Sequence, residues 1–296
     1  MSALKISFRE REKEEITRTK NFLSIVCTMS IASLPMYDLP ELKAITDAWW
    51  HGLALAFRAE GIKNVPDTLW RGEDYQSSWT QPDLLLSQTC GYPLINVLQD
   101  KVALVATPLY GAPECKGSEY CSIVIVREDD PAQNVSELRG YRCVINSRTS
   151  QSGCNTLRAL IAPLARGKPF FREVKVSGGH RQSATMVISG EADVAAIDCI
   201  TYALFSHHCP HVLAGTRKLA LTPYAPGLPY ITRLDRSKDL SKRLKAGLEA
   251  ACQDPTLSAC RETLLIRQFS TLSMDDYQRI ADMEREATKF GYTDLS

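Results

Sequence analysis

Glu191-Ala-Asp-Val-Ala-Ala-Ile-Asp198, followed by Cys199-Ile-Thr-Tyr-Ala-Leu-Phe-Ser-His207, reads as a buried strand handing over to a helix. The core Val194–Ile197 is apolar, so Asp198 emerges at the strand's carboxyl end, where open α/β sheets bind ligands. We expect the strand over Ala192–Asp198 and the helix over Thr201–His207. The same alternation continues on the N-terminal side. Ser122–Arg127 and Arg142–Asn146 read as strands, Gly153–Ala165 as a helix, Glu173–Ser177 as a strand and His180–Ser189 as a helix. Further out, Ser30–Leu34, Leu84–Ser87 and Val102–Thr107 are short strands. Leu39–Glu60 is a helix with Leu42, Ile45, Trp49, Leu53 and Phe57 at spacings of three and four. Thr216–Thr222 leads back, and Ser237–Gln253, Thr256–Leu265 and Ser273–Lys289 predict a helical tail. Strands and helices in alternation predict an α/β fold with mainly parallel sheets.

Two strand-helix sets with a single excursion between them predict two lobes, the first of them discontinuous. The crossings fall near Thr107–Tyr110 and Arg217–Thr222. Residues 29–108 then start the first lobe, 109–216 form the second, and 217–296 return to the first and end in helices. Residues 1–28 read as a polar extension. Phe22–Leu34 is a short apolar run behind Arg18 and Lys20, but Glu10, Glu12, Glu14 and Glu15 precede it and no small-residue cleavage site is evident.

The net charge of +1 gives no field that would draw the chain onto nucleic acid or an acidic membrane, so an anion must be held by local donors. No apolar stretch is long enough for a membrane span. Trp49, Trp50, Trp70 and Trp79 lack interleaved basic residues and read as core and lobe surface. None of the ten cysteines forms a CxxC pair, and they read as reduced, although Cys115 and Cys121 flank a loop they could bridge. His207-His-Cys-Pro-His211 offers metal-ligating side chains, but adjacent histidines do not easily converge on one ion. No metal and no cofactor is expected.

Three polar turns follow three strands of the second lobe. Asn146-Ser-Arg-Thr-Ser-Gln-Ser-Gly153 gathers hydroxyls at a helix start, where unpaired amides and the helix dipole favour anions. Ser147, Thr149 and Ser150 are its candidate ligands, and an ordinary N-cap is the plainer reading. Ser177-Gly-Gly-His180 lets the backbone approach a ligand and offers the His180 imidazole, or is simply a flexible turn. Asp198 could accept from a ligand's amine or from a protonated phosphoryl oxygen, or could cap its helix. Pro35-Met-Tyr-Asp38 and Ser87-Gln-Thr-Cys-Gly-Tyr92 supply matching ends from the first lobe, with Tyr37 and Tyr92 as hydroxyls and flat walls.

Gly178-Gly-His180 followed by Ser183, then Gly190-Glu-Ala-Asp-Val-Ala-Ala-Ile-Asp198, resembles the second lobe of the phosphate/phosphite/phosphonate-binding family, a branch of the type 2 periplasmic binding proteins. Leu138-Arg-Gly140, the turn at Ser147–Gly153 and Pro226-Gly-Leu-Pro229 carry the same resemblance, which spans roughly Met29 to Leu272. It implies two α/β lobes joined by two hinge crossings and a small oxyanion held at the cleft by Ser147, Thr149, Ser150, His180, Tyr37 and Tyr92. It also implies a monomer that delivers its ligand to an ABC permease, in the periplasm, although without a clear export signal a cytoplasmic site stays open. Two other classes stand beside it: an enzyme on the same lobes, using His180 or Asp198 as acid or base, and a cytosolic ligand sensor.

Overall fold

The computed structural model describes residues 30–235 and 237–295. The extension expected over residues 1–28 lies outside them. Twelve strands are present among the described residues: β1 Ile31–Ala32, β2 Leu84–Gln88, β3 Val102–Tyr110, β4 Glu119–Tyr120, β5 Ser122–Arg127 and β6 Arg142–Ile145 come first. β7 Glu173–Val176, β8 Val194–Asp198, β9 Thr216–Leu221, β10 Ala225–Pro226, β11 Tyr230–Arg233 and β12 Ile266–Ser270 follow. The helices that matter for the site are α1 Lys43–Ala59, α2 Tyr75–Ser78, α3 Thr156–Ala165, α4 His180–Ile188, α5 Cys199–His208, α6 Asp239–Gln253 and α7 Met274–Lys289.

The strands build two five-stranded sheets, ordered β1-β2-β11-β3-β12 and β7-β6-β8-β5-β9, with the β10-β4 ribbon as a third unit. Each five-stranded sheet belongs to one lobe of a mixed α/β, two-lobed fold. The expected mainly parallel pairing needs correction. Only β1 with β2, and β6 with β7 and β8, run parallel, while β11, β12, β5 and β9 pair antiparallel with their neighbours. The reason lies in connectivity. β3 leaves the first sheet, β5 enters the second from the opposite direction, and β9 and β11 carry the chain back, so strands beside the crossings are reversed. β9 pairs with β5 from Thr216 to Leu221, so the return comes after Leu221, at the end of the Arg217–Thr222 stretch.

Two tail segments also differ from expectation. The helix expected over Thr256–Leu265 is a 3-10 turn at Pro255–Leu257 running into a helix at Ser258–Thr263, and the edge strand β12 that follows it was not expected. β11, a strand not expected from the sequence, lies between β2 and β3.

Sequence alternation explains the core. Along β5, Ile123 and Ile125 join one cluster with Trp49, Phe57 and Leu86, while Val124 and Val126 join the other with Leu157, Ile161 and Phe170. A strand buried on both faces needs apolar residues at every position, and Ser-Ile-Val-Ile-Val supplies them. The end of the chain adds a link between lobes. In α7, Tyr277 donates to the Gly227 carbonyl (2.8 Å) and the Ile280 carbonyl accepts from Asn155 (3.2 Å). Beyond it, Tyr292 and Leu295 are buried in the second lobe's core.

Candidate functional site

A cavity of about 250 Å³ opens where the segments after β1, β2, β6 and β7 and the end of β8 meet. The second lobe lines it with Asn146, Ser147, Thr149, Ser150, Ser152, Gly178, Gly179, His180, Asp198 and Thr201. The first lobe presents Pro35, Met36, Tyr37, Tyr75, Gln76, Trp79, Cys90, Pro93 and Leu228. Among the described residues, no Lys or Arg lines it. Six of the seven residues singled out from sequence therefore meet at one cavity. Tyr92 does not line it.

The turn after β6 is tightly internal. Ser150 caps the following helix by accepting from the Gly153 amide (3.0 Å), and Ser147 Oγ sits 3.0 Å from Thr149 Oγ1. Gly153 is dictated by space. A Cβ there would come within 2.0 Å of Asn146 Oδ1, an oxygen that is buried and has no hydrogen-bond partner. Arg148 points outward to Asp294 (3.2 Å), which leaves the hydroxyls of the run facing the cavity.

The turn after β7 needs the left-handed backbone of Gly178, at φ +91°, which favours glycine. Ser177 Oγ, 2.7 Å from Ser183 Oγ, ties this turn to α4. α4 begins at His180 with no side-chain cap, so its first amides keep unmet donor capacity at the cavity wall. His180 Nε2 lies 3.0 Å from Ser152 Oγ, while Nδ1 is buried without a partner. Burial lowers the imidazole to about 4, so at neutral pH it is an uncharged donor or acceptor.

Asp198 is both a helix cap and a contact between lobes. Its Oδ1 accepts from the amides of Ile200 and Thr201 (2.8 Å each), and its Oδ2 accepts from the Tyr37 hydroxyl across the cleft (3.1 Å). Burial pushes the carboxyl up to about 6, and those donors oppose the rise. Tyr37 is held by the Tyr110 ring at 5.0 Å, edge to face. Burial and Asp198 keep its hydroxyl protonated. Beside this contact, Arg181 pairs with Glu41 across the lobes at 2.7 Å, and the Gln151 amide donates to Cys90 Sγ at 3.3 Å.

Two first-lobe assignments need correcting. The Tyr92 hydroxyl donates to Glu284 (2.9 Å) because the turn at Gly91–Pro93 aims its ring at α7, leaving Cys90 and Pro93 on the cavity. Asp38 forms an ion pair with Arg71 (2.5 Å) instead of closing the cleft. Sequence reasoning missed Tyr75, Gln76 and Trp79. Asp74 caps α2 through the Ser77 amide (3.2 Å), and Tyr75 and Trp79 stack edge to face at 5.6 Å. The cap and the four-residue aromatic spacing were the available signal.

Residues 81–277 match the family model of the ABC transporter, phosphonate, periplasmic substrate-binding proteins. No curated protein matches the chain. Among solved structures, a binding protein component of an ABC phosphonate transporter from Pseudomonas aeruginosa aligns with a TM-score of 0.71 at 14% identity, covering 88% of each chain. PhnD1 from Prochlorococcus marinus, solved with methylphosphonate, aligns at 0.67 and 14% identity over 88% of this chain and 99% of its own. XAC2383 from Xanthomonas citri, solved with ATP, aligns at 0.66 and 14% identity over 89% of this chain and 98% of its own. At such identity these likenesses establish the fold alone. The matched family covers about two thirds of the sequence, and the chain belongs to the substrate-binding proteins of ABC phosphonate transporters.

Proposed function

We propose that this protein captures an organic phosphonate, or a phosphoryl compound like it, in the cavity between its lobes and presents the closed complex to an ABC permease. The phosphoryl oxygens sit against Ser147, Thr149, Ser150 and the uncapped start of α4, with His180 beside them. Tyr37 and Asp198 close over the ligand from opposite lobes. The organic substituent lies against Met36, Tyr75, Trp79 and Leu228, an apolar and aromatic wall. The observation that carries the reading is the pairing of this wall with hydroxyl and amide donors around one cavity that, among the described residues, has no Lys or Arg. Uncharged donors at helix starts suit a small oxyanion. A periplasmic site of action follows from the family's role.

Thermal-shift measurement against methylphosphonate, aminoethylphosphonate, phosphate, phosphite, sulfate and small carboxylates tests it. A ligand present at 100 times its Kd stabilises the fold by about 2.7 kcal/mol. Thr149→Ala combined with Ser150→Ala is expected to abolish the shift while leaving the far-UV spectrum unchanged. An undiminished shift in the double variant, or no shift with any phosphoryl compound, refutes the assigned cradle. Ligand recovered intact after incubation is expected of a carrier, and steady product formation would favour the enzyme reading.

A further inference from the structure

The cysteines behind Asp198 have no part in the ligand reading, and they are not arranged as the sequence suggested. The thiol contact that Cys115 makes is with Cys199, the residue that follows Asp198 and opens α5, sulfur to sulfur at 3.7 Å. Cys121 stands directly behind: its carbonyl accepts from the Cys199 amide (3.1 Å), and its buried thiol, which also meets Cys199, donates to the Glu114 carbonyl (3.7 Å). Exposure separates the three. Cys115 is partly exposed, whereas Cys121 and Cys199 are fully buried.

We propose that Cys115 and Cys199 form a thiol–disulfide site that takes a low-molecular-weight disulfide as its oxidant. Cys115 is the entry thiol, since it is the one a solute can reach. Its thiolate attacks one sulfur of the oxidant, giving a mixed disulfide and releasing one thiolate. The Cys199 thiolate, once its proton has gone to water, then attacks Cys115 Sγ and expels the second small thiol. One oxidant is reduced to two thiols and one protein disulfide forms, so electrons and protons balance. The sulfurs must close from 3.7 Å to about 2.05 Å, which side-chain rotation at the partly exposed Cys115 can supply. The contact with the Cys115 thiol, and behind it burial, raise the Cys199 thiol, so the second step is slow and accelerates with pH.

The bond would join two places that matter to closure. Cys115 sits in the loop between β3 and β4, on the crossing from first lobe to second. Cys199 sits at the corner where Asp198 meets Tyr37. Oxidation therefore pins the crossing loop to the cleft's inner wall.

The full chain is incubated with oxidised glutathione at pH 8 and, in parallel, with dithiothreitol. Remaining thiols are alkylated under denaturing conditions and peptides mapped by mass without reduction. The expected product is a Cys115–Cys199 cross-linked peptide, two hydrogens lighter than the reduced pair, with amide exchange over residues 111–118 slowed at least tenfold. Cys199→Ser should leave a stable glutathione adduct on Cys115, and Cys115→Ser should leave Cys199 unmodified. A Cys115–Cys121 or Cys121–Cys199 cross-link in the wild type, a free Cys115 after incubation, or unchanged loop exchange in the cross-linked protein overturns the proposal. None of these readouts involves the phosphonate, so they stand apart from the ligand assignment.

Discussion

Replacing Asp198 with Asn examines the charge state of the cleft by itself. The carboxyl is 2% exposed, and burial lifts it to about 6, compared with about 3.9 in an unfolded chain. Because the folded value is the higher one, the folded state holds more protons between about pH 4 and pH 6. The stability tied to the neutral acid is thus fully present below about pH 4 and is lost as pH rises through about 6. At about 1.36 kcal/mol per decade, complete ionisation costs the ligand-free fold up to about 3 kcal/mol. Asn keeps an oxygen for the Ile200 and Thr201 amides and turns its NH2 towards the Tyr37 oxygen, so the cap survives. Urea unfolding at pH 4.5 and pH 8 measures the difference. Asp198→Asn is expected to gain about 1–2 kcal/mol relative to wild type on going from the lower pH to the higher. Parallel pH dependences of the two proteins would show that the buried carboxylate carries no such cost.

The ion pair across the cleft mouth is a surface latch, with Arg181 and Glu41 about a third exposed (36% and 32%). Removing either by Arg181→Ala or Glu41→Ala should speed ligand release about two- to fivefold, with a double-mutant coupling below about 1 kcal/mol that fades at high salt. Stopped-flow release kinetics read this, and an unchanged rate in both single variants argues against a latch. Tyr92→Phe should leave affinity for the ligand within about twofold while costing about 1 kcal/mol of stability, because its bond is to Glu284. A tenfold loss of affinity would return Tyr92 to the site. Gly153→Ala should lower stability by more than about 2 kcal/mol and abolish binding, as its Cβ meets the buried Asn146 oxygen. A calorimetric melt like that of wild type would contradict the packing.

Much of the fold was legible wherever local composition and burial agree. Ser122–Arg127 is a strand with the bounds its sequence suggests, since only a sheet buried on both faces asks for apolar residues in succession. β12 was passed over because its exposed Arg267 and Gln268 give no period-two pattern at a sheet edge. β11 was missed because four residues behind Pro229 carry too short a signal, and its place between β2 and β3 is a long-range fact. Strand direction escaped for the same reason. Pairing is set by partners far along the chain, and apolar runs look alike in either sense. In the candidate site, turns at strand ends advertised themselves through glycine and hydroxyl residues. Side chains whose role depends on which way a short helix turns did not: Tyr92 was chosen and faces α7, whereas Tyr75 and Trp79 were passed over and face the cavity.

That none of the described residues lining the cavity is Lys or Arg bears on how selectivity arises. A guanidinium would grip any dianion and would leave Asp198 fully ionised. With neutral donors on one side and a carboxyl near 6 on the other, the ligand's own proton and charge enter the balance. A phosphonate without an amine is held best while Asp198 keeps its proton and can donate to a phosphoryl oxygen, so its affinity should fall about tenfold for each pH step above about 6. An aminoalkylphosphonate brings a cation for the carboxylate to accept, and its affinity should hold or rise over the same range. Isothermal titration of methylphosphonate and aminoethylphosphonate from pH 5.5 to 8 separates the two. Identical pH slopes for both ligands would remove Asp198 from the contact and leave selection to the aromatic wall alone.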